Sequence, residues 1–133
     1  MNDSKTILAV DDNDSILQLA KTILYMEGYT VIFGCSGEDA LYVNDNHPFP
    51  IHLLLTDIRM GPRLNGCDLA AAMRGLRPGI KVLYMSAFTE DERVYREVSA
   101  GEAGFIRKPF SPSELLARVA KSLSGAVSPA RLG

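Results

Sequence analysis

The stretch Ile51-His52-Leu53-Leu54-Leu55-Thr56-Asp57 decides the fold. Its leucines follow one another with no polar residue between them, whereas a strand with one wet face alternates apolar and polar side chains. A strand that is apolar at successive positions is covered on both faces, the condition of a parallel sheet clothed by helices. Ile7-Leu8-Ala9-Val10 repeats the pattern near the N-terminus.

Outward from these two runs, strands are expected over Thr6 to Val10, Tyr29 to Phe33, Ile51 to Thr56, Lys81 to Met85 and Gly104 to Ile106, with an amphipathic stretch after each. Five strands alternating with five helices define an α/β domain. The first helix carries Ile16, Ala20, Ile23 and Leu24 on one stripe, with Asn13 or Asp14 as its N-cap and Gly28 closing it. The third repeats the stripe with Leu69, Ala72, Met73 and Leu76 until Gly75 and Pro78 end it, and the fifth with Leu116, Val119, Ala120 and Leu123. Ser111-Pro112-Ser113-Glu114 forms a capping box with proline at the first helical position. The second helix, about Gly37 to Asn44, is short. The fourth, about Glu90 to Ser99, offers little apolar surface beyond Val94, Tyr95 and Val98, so these two are expected to be the least stable. The expected organisation is one domain over residues 1–123 and a flexible tail over 124–133, without internal repeats.

Composition narrows the function. The 133 residues carry 16 acidic side chains against 14 lysines and arginines, a net charge of -2, and 47% are hydrophobic. Such a chain builds a core, but it presents no broad basic face to neutralise phosphates, which argues against a stand-alone nucleic-acid binder. The N-terminus lacks the apolar stretch of a signal peptide, and no run approaches the about 20 apolar residues that span a bilayer, so a cytoplasmic location without membrane attachment is expected. Cys35 and Cys67 lack CxxC spacing and read as two reduced thiols rather than a zinc or redox pair. His47 and His52, close to Pro48 and Pro50, have no second ligand at helical spacing and read as structural or solvated.

In an open parallel sheet, function gathers beyond the carboxyl ends of the strands. There this sequence places Asp11 and Asp12 after the first strand, Asp57 after the third, Ser86 after the fourth and Lys108 after the fifth. Taken singly, an acidic pair is often a helix cap, a serine a turn residue and a lysine a solvated charge. Four strands delivering all of them to one edge is a pattern that chance placement does not give. Three clustered carboxylates repel one another unless one stays protonated or a cation joins them. Oxygen-only donors favour Mg²⁺. A phosphoryl group would complete the set, with Lys108 and Ser86 on its oxygens and Asp57 as the nucleophile that forms an aspartyl phosphate.

Val10-Asp11-Asp12-Asn13, Leu55-Thr56-Asp57-Ile58-Arg59-Met60 with Gly66, Met85-Ser86-Ala87 and Phe105-Ile106-Arg107-Lys108-Pro109-Phe110 occur in order and at suitable separations. In these motifs the chain resembles the receiver domain of two-component response regulators from about Lys5 to Leu123. The resemblance implies a doubly wound (βα)5 domain of flavodoxin-like topology with strand order 2-1-3-4-5. It implies that a histidine kinase or histidine phosphotransfer protein donates a phosphoryl group to Asp57, and that the chain catalyses only its own phosphorylation and dephosphorylation. Asp12, Asp57 and the Arg59 main-chain carbonyl would hold Mg²⁺ directly, and Asp11 through water. The Lys108–Pro109 bond would be cis. Ser86 and Phe105 would be the switch pair, with the fourth helix, fifth strand and fifth helix as the face read by a downstream protein, and the chain either a monomer or a homodimer promoted by phosphorylation. For Phe105 plain core packing is the competing reading.

The loop Met60-Gly61-Pro62-Arg63-Leu64-Asn65-Gly66 is reordered relative to the common Met-Pro pattern, and with Val82-Leu83-Tyr84-Met85-Ser86-Ala87-Phe88 it is similar to receivers borne by hybrid kinases. Arg59 and Phe88, each two residues beyond a site residue, are expected to flank attacking water, and the bulk of Phe88 to slow self-dephosphorylation. A haloacid-dehalogenase-type phosphatase would need a second acid where Arg59 stands. A flavin or dinucleotide binder would meet the negative charges of Asp11 and Asp12 at its phosphate loop. The remaining alternative is a receiver-like interaction module that works without phosphorylation.

Overall fold

A computed structural model describes residues 4–60, 63–87 and 91–125. The elements follow in strict alternation: β1 (Thr6–Val10), α1 (Asp14–Met26), β2 (Thr30–Gly34), α2 (Gly37–Asp45), β3 (Leu53–Asp57), α3 (Gly66–Leu76), β4 (Lys81–Ser86), α4 (Glu92–Ser99), β5 (Gly104–Arg107) and α5 (Pro112–Ser124). The strands form one sheet in the order β2-β1-β3-β4-β5, every neighbouring pair parallel. The parallel α/β reading and the strand order implied by the resemblance both hold.

Alternation along the strands sorts the core into two halves. Leu8, Val10, Leu54, Val82 and Tyr84 pack with Ala40, Leu69, Met73 and Val94, so α2, α3 and α4 clothe one face. Ile7, Ala9, Leu53, Leu55, Leu83 and Met85 pack with Leu17, Ala20, Leu24, Leu115 and Val119, so α1 and α5 clothe the other. Every residue of β1 and β3 is buried, as successive apolar positions require. The outer strand β2 is partly exposed, because it has a neighbour on one side only.

The helix stripes differ from expectation in register. In α5 the buried pair is Leu115 and Val119; Leu116 and Leu123 are partly buried and Ala120 is exposed. The i, i+4 spacing of Leu115 and Val119 puts those two on the line that faces the sheet; Val119 belongs to the expected stripe, and Leu115 takes the place expected of Leu116. In α3, Leu76 is 55% exposed, since it ends the helix and Ile80 fills the core beyond it. In α1, Leu17 joins Ala20 and Leu24 as fully buried, with Ile16 and Ile23 packed at the edge. Asn13 is the N-cap of α1, and Gly28 follows the helix with φ 103°, a backbone conformation open to glycine. The capping box of α5 is formed as expected, with Ser111 and Glu114 exchanging bonds. This helix runs through Ser124 and is capped by Gly125, so residue 124 belongs to it rather than to the expected tail; residues 126–133 lie outside the described residues. Helix α4 starts at Glu92 with Asp91 as N-cap, two residues later than expected. No helix among the described residues is long and apolar enough to cross a membrane.

Candidate functional site

The N-cap of α1 falls on Asn13, whose side chain accepts from the Ser15 and Ile16 amides, so neither Asp11 nor Asp12 has a capping task. Asp11 is 1% exposed, its Oδ1 accepting the Asn13 amide at 2.8 Å, while Asp12 is exposed. Asp57 ends β3, the middle strand, and is buried; its Oδ1 accepts the Ile58 amide at 3.0 Å. One carboxylate oxygen from each of Asp11, Asp12 and Asp57 lies within 4.8 Å of the others. The sequence placed these three acids at one edge, and the fold brings them together.

Lys108 reaches the same point from the end of β5. Its Nζ stands 2.7 Å from Asp11 Oδ2 and 3.3 Å from Asp57 Oδ1, and its amide donates to the Ser86 carbonyl at 2.8 Å, fixing it beside the end of β4. Ser86 is buried there. The Lys108–Pro109 bond is cis. The four strand ends therefore deliver the expected five residues to one crevice.

Two neighbours fix Asp57 from behind. Gly66 opens α3, and its amide donates to the Ile58 carbonyl at 2.8 Å. A Cβ built there would collide with the Asp57 carbonyl oxygen and approach the Ile58 Cα to 3.0 Å, so the first turn of α3 can lie against the Asp57 backbone only without a side chain. The buried Thr56 hydroxyl donates to the Asp57 carbonyl at 2.9 Å. In the sequence, its position before a strand-end acid is the only signal Thr56 carries.

Charge sets the chemistry. Burial, and next the Asp11 charge, push the Asp57 carboxyl up to about 6, against the pull of Lys108. Burial alone would lower the Lys108 ammonium, but its close contact with Asp11 and the charges of Asp11 and Asp57 hold it above its ordinary value. Asp11 Oδ2 is buried and makes no properly angled hydrogen bond; the ammonium at 2.7 Å meets it as a charge. One ammonium against three carboxylates leaves the crevice anionic. An anionic, oxygen-only donor set with an under-bonded buried carboxylate oxygen fits a small hard divalent cation such as Mg²⁺ and does not fit zinc.

The other expected residues are spread more widely. Arg59 is exposed two residues beyond Asp57. Phe105 is half-buried, packs against the Tyr84 half of the core and pairs with Tyr84 in strand register, its carbonyl accepting from the Arg118 guanidinium. Phe88 lies outside the described residues. Cys35 and Cys67 are both free, and His52 is structural, its Nδ1 accepting the Thr6 amide at 2.9 Å.

This crevice at the carboxyl edge of a five-stranded parallel sheet is that of a receiver, and the chain belongs to the response regulator receiver domain family, which it matches over residues 7–120. Among curated relatives, the response regulator SaeR of Staphylococcus aureus (strain USA300) is 32% identical over 113 residues, 85% of this chain and 48% of its own length. The chain thus spans about half the length of the curated relatives it matches. Among solved structures, a CheY-like receiver domain protein from Methanospirillum hungatei JF-1 superposes with a TM-score of 0.80 at 32% identity, covering 92% of this chain and 95% of that one. The chemotaxis protein CheY4 of Vibrio cholerae does so with a TM-score of 0.80 at 27% identity, covering 91% and 100%.

Proposed function

We propose that this receiver accepts a phosphoryl group from phosphohistidine on a histidine kinase or phosphotransfer protein and thereby switches protein–protein contacts. The observation that carries the reading is the buried Asp57 carboxylate, gathered with two further carboxylates and 3.3 Å from Lys108 at the mouth of the sheet. An Asp57 carboxylate oxygen attacks phosphorus, the P–O bond forms as the P–N bond breaks, and the leaving imidazole takes a proton from solvent. Lys108 turns from Asp11 toward the phosphoryl oxygens and balances their charge, and the Ser86 hydroxyl donates to another of them. Asp12, Asp57 and the Arg59 carbonyl would hold Mg²⁺ directly and Asp11 through water. The ion would neutralise the acids and the phosphoryl oxygens.

The output we assign to Ser86 moving toward the phosphoryl group, with Phe105 following, and to a downstream protein reading the surface formed by α4, β5 and α5. In this reading the domain is cytoplasmic and is either a monomer or a homodimer promoted by phosphorylation. Hydrolysis of the aspartyl phosphate is slow because Arg59 and Phe88 restrict water; Phe88→Ala should speed its decay, and an unchanged decay rate removes that role.

The test is intact mass after incubation with acetyl phosphate, with and without Mg²⁺, on wild type and Asp57→Asn. One Mg²⁺-dependent phosphoryl adduct, absent from the variant, is the expected result. No adduct, while a control receiver labels, would make the chain a phosphorylation-independent interaction module.

A further inference from the structure

Helix α4 is short and poorly anchored by apolar contacts. Of its eight residues only Val94 is fully buried, and Tyr95 is 70% exposed. Beside Val94 and the partly buried Val98, polar attachments hold the helix against the sheet, and one of these reaches into the core. The hydroxyl of Tyr84, a side chain with no exposed surface in the middle of β4, donates to Glu97 Oε1 at 2.7 Å. The same oxygen receives Arg74 Nη2 of α3 at 3.0 Å, and Nη2 also donates to the Glu102 carbonyl just past α4 at 3.2 Å. Glu97 is thus a junction of β4, α3 and α4, its side chain 16% exposed. Burial, and next the Glu97 carboxylate, raise the Tyr84 phenol well above its ordinary range, so it stays a donor at any physiological pH.

The place of Tyr84 gives this junction a use. Side chains two apart on a strand share a face, so Tyr84 points to the same side as Ser86, the proposed phosphoryl donor contact. Across the ladder it pairs with Phe105, the proposed follower. One side chain therefore stands between the two switch residues and grips the helix whose position is to be read. In the structure, Lys108 lies against Asp11 and Asp57, and the Tyr84–Glu97 bond is made alongside those contacts.

We propose that the Tyr84–Glu97–Arg74 junction is a tether that holds α4 in its starting position and that Tyr84 is a positioning residue for the switch. The proposal rests on the receiver reading above. A bond made in one of two states and lost in the other opposes the shift, so cutting it favours the phosphorylated arrangement and tightens binding of anything that requires it.

The experiment titrates beryllofluoride with Mg²⁺, a mimic of the aspartyl phosphate, into wild type, Tyr84→Phe, Glu97→Ala, the double variant and Arg93→Ala. It is paired with amide hydrogen exchange over α4. Arg93→Ala is the control, because it cuts the exposed Arg93–Asp68 bridge between α3 and α4 and leaves the junction intact. Tyr84→Phe is expected to bind about fivefold or more tightly with faster exchange in α4, and the double variant no more tightly than either single one. Arg93→Ala should bind as wild type does. Unchanged or weaker binding by Tyr84→Phe overturns the tether, as does equal tightening by Arg93→Ala, which would mean general loosening of the helix. If wild type itself binds no beryllofluoride, the receiver reading falls and the tether with it. If wild type binds and Tyr84→Phe matches it, only the tether falls.

Discussion

Gly66 and Asp57 touch through their backbones: the α-carbon that opens α3 lies so close to the end of β3 that a methyl group there would collide with the Asp57 carbonyl oxygen. Alanine is ordinarily the better helix residue, yet here Gly66→Ala must push α3 away from β3 or shift Asp57. Overpacking of this kind costs about 1–3 kcal/mol. Urea unfolding should show that loss, and labelling by acetyl phosphate should slow. A variant as stable as wild type would mean that α3 has room to retreat.

Asp57 makes the domain sensitive to pH. Its carboxyl sits at about 6 in the fold, above the ordinary carboxylate value, so the folded state holds the proton more tightly than the unfolded chain. Its contribution to stability is then greatest below about pH 4 and is lost as pH rises through about 6. Asp57→Asn removes the buried charge. Without divalent cation it should exceed wild type by about 1–3 kcal/mol at pH 7.5, and the gap should close both at pH 4 and on adding Mg²⁺. Denaturation curves at the two pH values decide it; a gap that does not depend on pH would contradict the assignment.

Lys108 should show effects of opposite sign. Truncation leaves the buried Asp11 Oδ2 without its counter-charge, so Lys108→Ala should lose about 1–3 kcal/mol in metal-free buffer. The same change removes a cation that competes for the acids, so Mg²⁺ should bind more tightly, by roughly 3- to 10-fold on electrostatic grounds. Phosphorylation by acetyl phosphate should nevertheless slow by about tenfold or more, the loss expected when one positioned cation leaves a phosphoryl-transfer site. Calorimetric Mg²⁺ titration beside a labelling time course separates the two, and weaker Mg²⁺ binding would count against direct competition.

Arg77 offers a change in stability alone. Its guanidinium binds the Asn44 side chain and the carbonyls of His47 at 2.6 Å and Phe49 at 2.8 Å, closing the turn between α2 and β3 far from the acids. Arg77→Ala should cost about 1–3 kcal/mol through those acceptors, of which the Asn44 and His47 oxygens are part-buried, and leave the labelling rate per folded molecule unchanged. A slowed rate at full folding would show that this turn communicates with the site.

The site was legible in the sequence because strand ends are. An apolar run that stops at a carboxylate, a serine or a lysine fixes both the strand and the position of the side chain beyond it. A parallel sheet then collects those positions at one edge. Strand order was not legible in that way and came from resemblance. The stripe of α5 was expected to start at Leu116 rather than Leu115, because the two are adjacent and equally apolar, and only the sheet chooses between them. Tyr84, Glu97 and Arg74 gave no signal, since they are 13 and 23 residues apart in the chain and meet only in three dimensions. Gly66 could be placed in a motif, but the collision that demands glycine depends on how α3 meets β3.

On the proposed function, the two halves of the core also decide what a partner would sense at the β5 edge. Tyr84 and Phe105 lie on the side of α4, whereas Leu83, Met85 and Ile106 lie on the side of α1 and α5 and pack with Leu115 and Val119 of α5. On that reading, the edge would work as a caliper whose jaws are α5 and a sliding α4. A protein that spans it would gauge the gap between two helices rather than the shape of either, and a small displacement of a short helix would be enough to admit or refuse it.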